Sequence, residues 1–219
     1  MANVTARPSL LPMTGALVAA AVAALLGLAA AGVVVPVSLV GWPHEERRVP
    51  VAELLFVCAA SAGAWSNRPR LWIWERLGGV RTRLRAAAVA ALGVSLPVLA
   101  VLAVLPAVDH AQDRWLMVTN VLLSASGVYL LAPVLGPVVS GTTVLGGVFA
   151  GAVACNAVPG LHRAIPYAYA GGHGWAVPDL LPPGAVPALA VASALAAVGV
   201  HAATRGATTR VHLRTEAEG

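Results

Sequence analysis

The 219-residue chain is 58% hydrophobic and only 11% charged, with a mean hydropathy of +0.80. A soluble domain of this length carries about a quarter charged residues, so the composition argues for one integral membrane domain with no separate hydrophilic unit. All fourteen basic residues are arginine, which leaves neither a Walker A lysine nor a Schiff-base amine and excludes P-loop ATP hydrolysis by this chain alone.

The net charge of +5 does not imply nucleic acid, because the arginines fall at the ends of apolar runs, where anionic lipid headgroups account for them. No nucleic-acid partner is expected. Cys58 and Cys155 each sit inside an apolar run and form neither a disulfide framework nor a zinc motif.

Residues 1–14 read as a short cytoplasmic tail in which Pro8 and Pro12 interrupt any continuous helix. The apolar run that follows, from Gly15 to Val40, is far longer than the roughly 7–15 residues of a signal-peptide core, so it is read as a first span. Thr14 is its expected N-cap, and Pro36 its expected kink or stop. After the loop GWPHEERRVP, Val51 to Ser66 makes a second, short span.

The stretch Asn67 to Arg85 then carries Arg68, Arg70, Arg76, Arg81, Arg83 and Arg85, and a basic block between apolar runs is retained in the cytoplasm. Leu71, Trp74 and Leu77 recur at helical spacing within it, and Gly78-Gly79 ends that short helix. Further spans are expected over about 86–106, 115–132, 138–158 and 185–203. Pro133, Gly136 and Pro137 are the expected break between the fourth and fifth.

The predicted fold class is therefore all-α: a polytopic membrane protein of six transmembrane helices, N-in and C-in, with domain limits of 15–204 and a cytoplasmic tail over 205–219. A cytoplasmic helix follows span two, and an irregular outer connector over 159–184 precedes span six. This orientation puts ten arginines inside and four, Arg47, Arg48, Arg114 and Arg163, outside.

No catalytic, cofactor-binding or metal-ligating set emerges, and no enzyme is expected. His44-Glu45-Glu46 lacks the second histidine of a zinc protease, since position 48 is Arg48. None of Ser61, Ser95, Ser124, Ser126 or Ser140 lies in a nucleophile elbow, and His162, His173 and His201 have no ligand spacing. Glu53, Asn120 and Asn156 are the intramembrane polar residues to examine, with a helix-dipole role for Glu53 and interhelical hydrogen bonding for the asparagines as the plainer readings. Gly147 and Gly151, with Gly146 beside them, form a GxxxG pattern that predicts a close helix approach.

These features together resemble the membrane subunits of ABC-2 type transporters, in the form of compact six-helix actinobacterial proteins. The resemblance rests on Glu75-Arg76 followed by Arg81, Arg83 and Arg85, on Asn120 with Gly127 two turns on, and on Trp175 and Pro178 before the last span. It implies that the segment after span two couples to a separate ATP-binding subunit, with Arg70, Trp74, Glu75, Arg76 and Arg81 as the coupling residues. It also implies a homo- or hetero-dimer in the bacterial plasma membrane, exporting a substrate and needing no cofactor in this chain. A non-transporting scaffold, anchor or immunity protein is the alternative.

Overall fold

The computed structural model describes residues 11–37, 47–68, 78–108, 111–158, 161, 182 and 184–208. Among them are six α-helices: α1 (Leu11–Ala29), α2 (Val51–Ser66), α3 (Val80–Val104), α4 (Ala111–Leu135), α5 (Pro137–Ala157) and α6 (Ala185–Thr204). Four of these, α3 to α6, are long and apolar enough to cross a membrane, while α1 and α2 are apolar but shorter. Their outward faces are as greasy as their contacts: Leu25 and Leu195 are each 68% exposed and Leu99 60%. Water would penalise such a surface along every helix, whereas hydrocarbon does not.

The first apolar run does not continue as a helix to Val40. α1 ends at Ala29, Gly32 turns the chain at φ 82°, and a short strand β1 (Val34–Val37) follows. The reason is local. Val33, Val34 and Val35 are β-branched, and Pro36 disfavours a helical conformation in the residue before it. β1 pairs antiparallel with β2 (Arg47–Pro50), Val34 facing Pro50 and Val37 facing Arg47. Thr14 is not a cap either, because α1 begins at Leu11; Pro12 sits in the first turn, where its missing N–H would be unsatisfied anyway.

α4 is the axis of the bundle, in contact with α2, α3, α5 and α6. One apolar core gathers Val57, Ala60 and Ala64 of α2, Ala90 and Val94 of α3, Val128 and Tyr129 of α4, and Ala197 of α6. A second joins α1, α2, α3 and α4 through Ala23, Phe56, Val101, Met117 and Val121. Small residues set the spacing. A Cβ on Gly141 would lie 2.5 Å from Ser61 Oγ, and one on Gly15 would lie 2.6 Å from Ser66 Cβ, so α5 and α1 approach α2 almost at backbone contact.

Gly147 of the predicted GxxxG pattern, and Gly146 beside it, make no close approach among the described residues. Gly146 and Gly147 are exposed and would meet nothing within 4 Å.

The α4–α5 turn shows how proline reroutes hydrogen bonds. α4 continues through Pro133 to Leu135, and Gly136 at φ 87° reverses the chain into Pro137. Residue 137 would normally donate to the carbonyl of residue 133, but proline has no N–H. The Thr208 N–H fills that vacancy, donating to Pro133 O at 2.8 Å, so the segment after α6 is tied to the end of α4.

Candidate functional site

At the strand-pair end of the bundle, three mutually packed helices, α2, α4 and α5, each contribute a buried polar residue: Glu53, Asn120 and Asn156. Glu53 is placed by the chain just before it. Pro50 caps α2 in an extended conformation, and the Val51 N–H donates to Val33 O at 3.0 Å, fixing where the first turn starts. The carboxylate in that turn suits the positive end of the helix dipole.

It is nevertheless only 6% exposed, and Asn120 on α4 only 2%. Asn120 Nδ2 donates to Glu53 Oε1 at 3.5 Å, a long contact at the outer edge of hydrogen-bond geometry. Residues 67 positions apart thus meet in the interior.

Asn156, 1% exposed, uses its amide differently: Nδ2 donates to the β1 carbonyl Val37 O at 3.3 Å, fastening the strand pair to α5. Beneath the strands, Val49 is fully buried against Val148 and Ala152 of α5. The alternation of β2 turns Arg47 inward with Val49 and leaves Arg48 exposed. Arg47 is 5% exposed, and Cys155 on α5 is 2% exposed. Among the described residues, Glu53, Asn120, Asn156 and Arg47 are thus all buried, with Asn156 bonding to the strand pair.

No protein-family model, curated protein or solved structure matches the chain. These buried polar residues are accordingly read from their own chemistry.

Toward the other end, Tyr129 is the largest side chain that is almost fully buried. It lies across α3 at Gly93, where a Cβ would fall 2.6 Å from its Cε1 and closer still to its Cζ and hydroxyl, and beside Gly63 of α2, where a Cβ would lie 3.0 Å from its hydroxyl. Its ring stands 5.6 Å from that of His201, whose Nδ1 is 3.1 Å from Ala197 O. The Asn67 side chain comes near the Tyr129 hydroxyl without closing a hydrogen bond. This is a packing node. Ser124, Ser126 and Ser140 spend their hydroxyls on backbone carbonyls of their own helices, at 2.6 to 2.8 Å.

Of the expected coupling residues, Arg70, Trp74, Glu75 and Arg76 lie outside the described residues. So do His44-Glu45-Glu46, His162, His173, Trp175 and Pro178. Arg81 is exposed near the start of α3 with Arg83 and Arg85, and the Arg68 guanidinium stacks 3.9 Å above the Trp65 ring. Glu53 and Asn120, singled out separately, are brought together; Asn156 joins the same end through the strands. Arg47 and Tyr129 were not singled out from the sequence. The period-two alternation of RRVP, once read as a strand, would have turned Arg47 inward. Tyr129 had no such signal.

Proposed function

We propose that this chain is the membrane-spanning, permease-like subunit of an ABC-2 type transporter in the bacterial plasma membrane. In this reading all six helices cross, both chain ends are cytoplasmic, and a separate ATP-binding subunit docks on the segment between α2 and α3. The observation that carries it is the basic rim at one end of the bundle. Arg68, Arg81, Arg83 and Arg85 bracket the α2–α3 connection. The same end holds the start of α1, through Gly15 beside Ser66, and the end of α6, through Thr208 on Pro133. Positive charge gathered at one end is what cytoplasmic retention requires, and it offers a face for a soluble partner and for anionic headgroups.

The Glu53–Asn120 contact adds support, since a carboxylate facing the interior of a membrane bundle is a candidate for the path or the conformational change of a transporter. Substrate passage between two protomers, as a homo- or hetero-dimer, belongs to the same proposal.

Affinity purification in mild detergent tests it. Recovery of a stoichiometric P-loop ATPase, lost on replacing Trp74 and Glu75 by alanine in protein that still inserts, supports the reading. Purification with no ATPase, under conditions that keep other weak complexes intact, sinks it and leaves the scaffold alternative.

A further inference from the structure

The strand pair does not stand clear of the helices; it runs alongside the outer half of α5. Three contacts set its level. At the basic end, the Ser61 hydroxyl of α2 donates to the carbonyl of Pro137, the first residue of α5, at 2.9 Å. Midway, Val49 of β2 packs in one cluster with Val148 and Ala152. At the outer end, Asn156 reaches Val37 O of β1. At 1.5 Å per residue, Val148 and Asn156 lie about 16 Å and 28 Å along α5 from Pro137. α2 gives the same level from its own side, since it begins at Val51, about 15 Å from Ser61. α1 ends at Ala29, and the Val51 N–H bond to Val33 O brings the turn after it to the start of α2. Both helices therefore give way to turn and strand about halfway along an apolar helix long enough to cross a membrane.

Hydrocarbon is a poor solvent for such backbone. A two-stranded pair leaves N–H and C=O groups along its edges, and irregular backbone at membrane depth is tolerated where protein buries it or where it lines water. Protein does not bury all of it here. The inward face of the pair carries Arg47 and Val49, whereas Val34, Pro36 and Arg48 on the other face are exposed, as are Gly32 and Val33 in the turn. The guanidinium of Arg48 on that face argues against lipid as its surrounding.

We infer that the Gly32–Val33 turn and the outward face of the strand pair line a water-filled notch, open at the strand-pair end. It admits water and small polar solutes about halfway down α5. Glu53 lies three positions below Pro50, about 4–5 Å along α2, so the notch stops roughly one helical turn short of the Glu53–Asn120 contact. In a transporter it would be the outer mouth of a path toward that contact. Only the crossing of α3 and α5 is assumed from the transport reading.

Single cysteines in the full-length Cys58→Ser/Cys155→Ser chain test this, in unsealed membrane fragments treated with a charged, membrane-impermeant maleimide. The probes are Val34→Cys and Arg48→Cys on the exposed face. Two controls lie at matching depth on lipid-facing surfaces. Ala150, exposed on α5, falls between Val148 and Ala152. Leu102, 48% exposed on α3, is nine positions outward of Gly93, as Asn120 is nine positions outward of Tyr129, against which Gly93 packs.

The thiolate is the reacting form, and water supports it where hydrocarbon does not, so both probes should label at least about tenfold faster than either control. A smaller ratio at either probe overturns the notch: a slow probe puts the strands in lipid or protein, and a fast control puts this level outside the bilayer. If Arg48→Cys does not accumulate, Pro36→Cys, its register partner on the same face, takes its place. Unsealed fragments present both membrane faces to the reagent and need no ATP-binding partner, so failure of the notch and failure of the transport reading are separate results.

Discussion

A methyl group added at Gly93 probes the packing node on which α3 and α4 are held together. Its Cβ would overlap the Tyr129 ring, 2.6 Å from Cε1 and nearer to Cζ and the hydroxyl. The ring has little room to retreat, because its hydroxyl already abuts Gly63 and its face stands near His201. Overpacking of this kind costs about 1–3 kcal/mol, and the gain in helix propensity from glycine to alanine returns about 1 kcal/mol, so a net loss of up to about 2 kcal/mol is expected. Gly93 also lies four residues before Pro97, where the helix already lacks one backbone hydrogen bond, so α3 has less reserve there.

The assay is thermal unfolding of detergent-purified Gly93→Ala against the parent, in the Tyr129 and the Tyr129→Leu backgrounds. The two changes should be non-additive by about 1 kcal/mol or more, since leucine removes the atoms that Cβ would meet. Equal cost in both backgrounds, or a stabilising Gly93→Ala, would refute the view that Tyr129 fills the space that glycine leaves.

Other expectations follow from the same geometry. Gly141→Ala should destabilise by up to about 2 kcal/mol through overlap with Ser61, whereas Gly146→Ala and Gly147→Ala should be neutral or slightly stabilising, as thermal unfolding will show. Should the latter two instead dissociate a dimer on native electrophoresis, the outward face of α5 is an interface. Arg205 holds φ 54° at the end of α6, so Arg205→Gly should cost nothing or gain up to about 1 kcal/mol in the same melt. Asn156→Ala removes the link to Val37 O and should speed Cys155 labelling in the Cys58→Ser background; an unchanged rate would show that the strands are held without it.

The sequence was legible where polar or proline boundaries bracket an apolar run. α2 spans the same residues, Val51 to Ser66, that the run between Pro50 and Asn67 marks out. It misled where hydropathy and backbone preference diverge: Val33 to Val35 are as greasy as a span but β-branched, so the strand pair hid inside an apolar stretch.

The Glu53–Asn120 contact illustrates a second limit. Each residue is conspicuous alone, yet their meeting depends on how α2 and α4 lie side by side, which no local spacing encodes. Glycines carried the converse lesson. Gly146 and Gly147 face outward, while isolated Gly63, Gly93 and Gly141 make close approaches, because what matters is the side chain opposite each one. Arg47 stayed hidden for want of the strand that turns it inward.

Coupling to a cytoplasmic ATP-binding subunit requires that the basic end of the bundle face the cytoplasm and the strand-pair end face out. Single cysteines at Arg81 and at Val34, in a Cys58→Ser/Cys155→Ser background, can be challenged with a membrane-impermeant maleimide in intact cells. Labelling at position 34 in intact cells, and at 81 only after permeabilisation, is the predicted result. Labelling at 81 from outside would place the basic rim beyond reach of any cytoplasmic ATPase and contradict the proposed function.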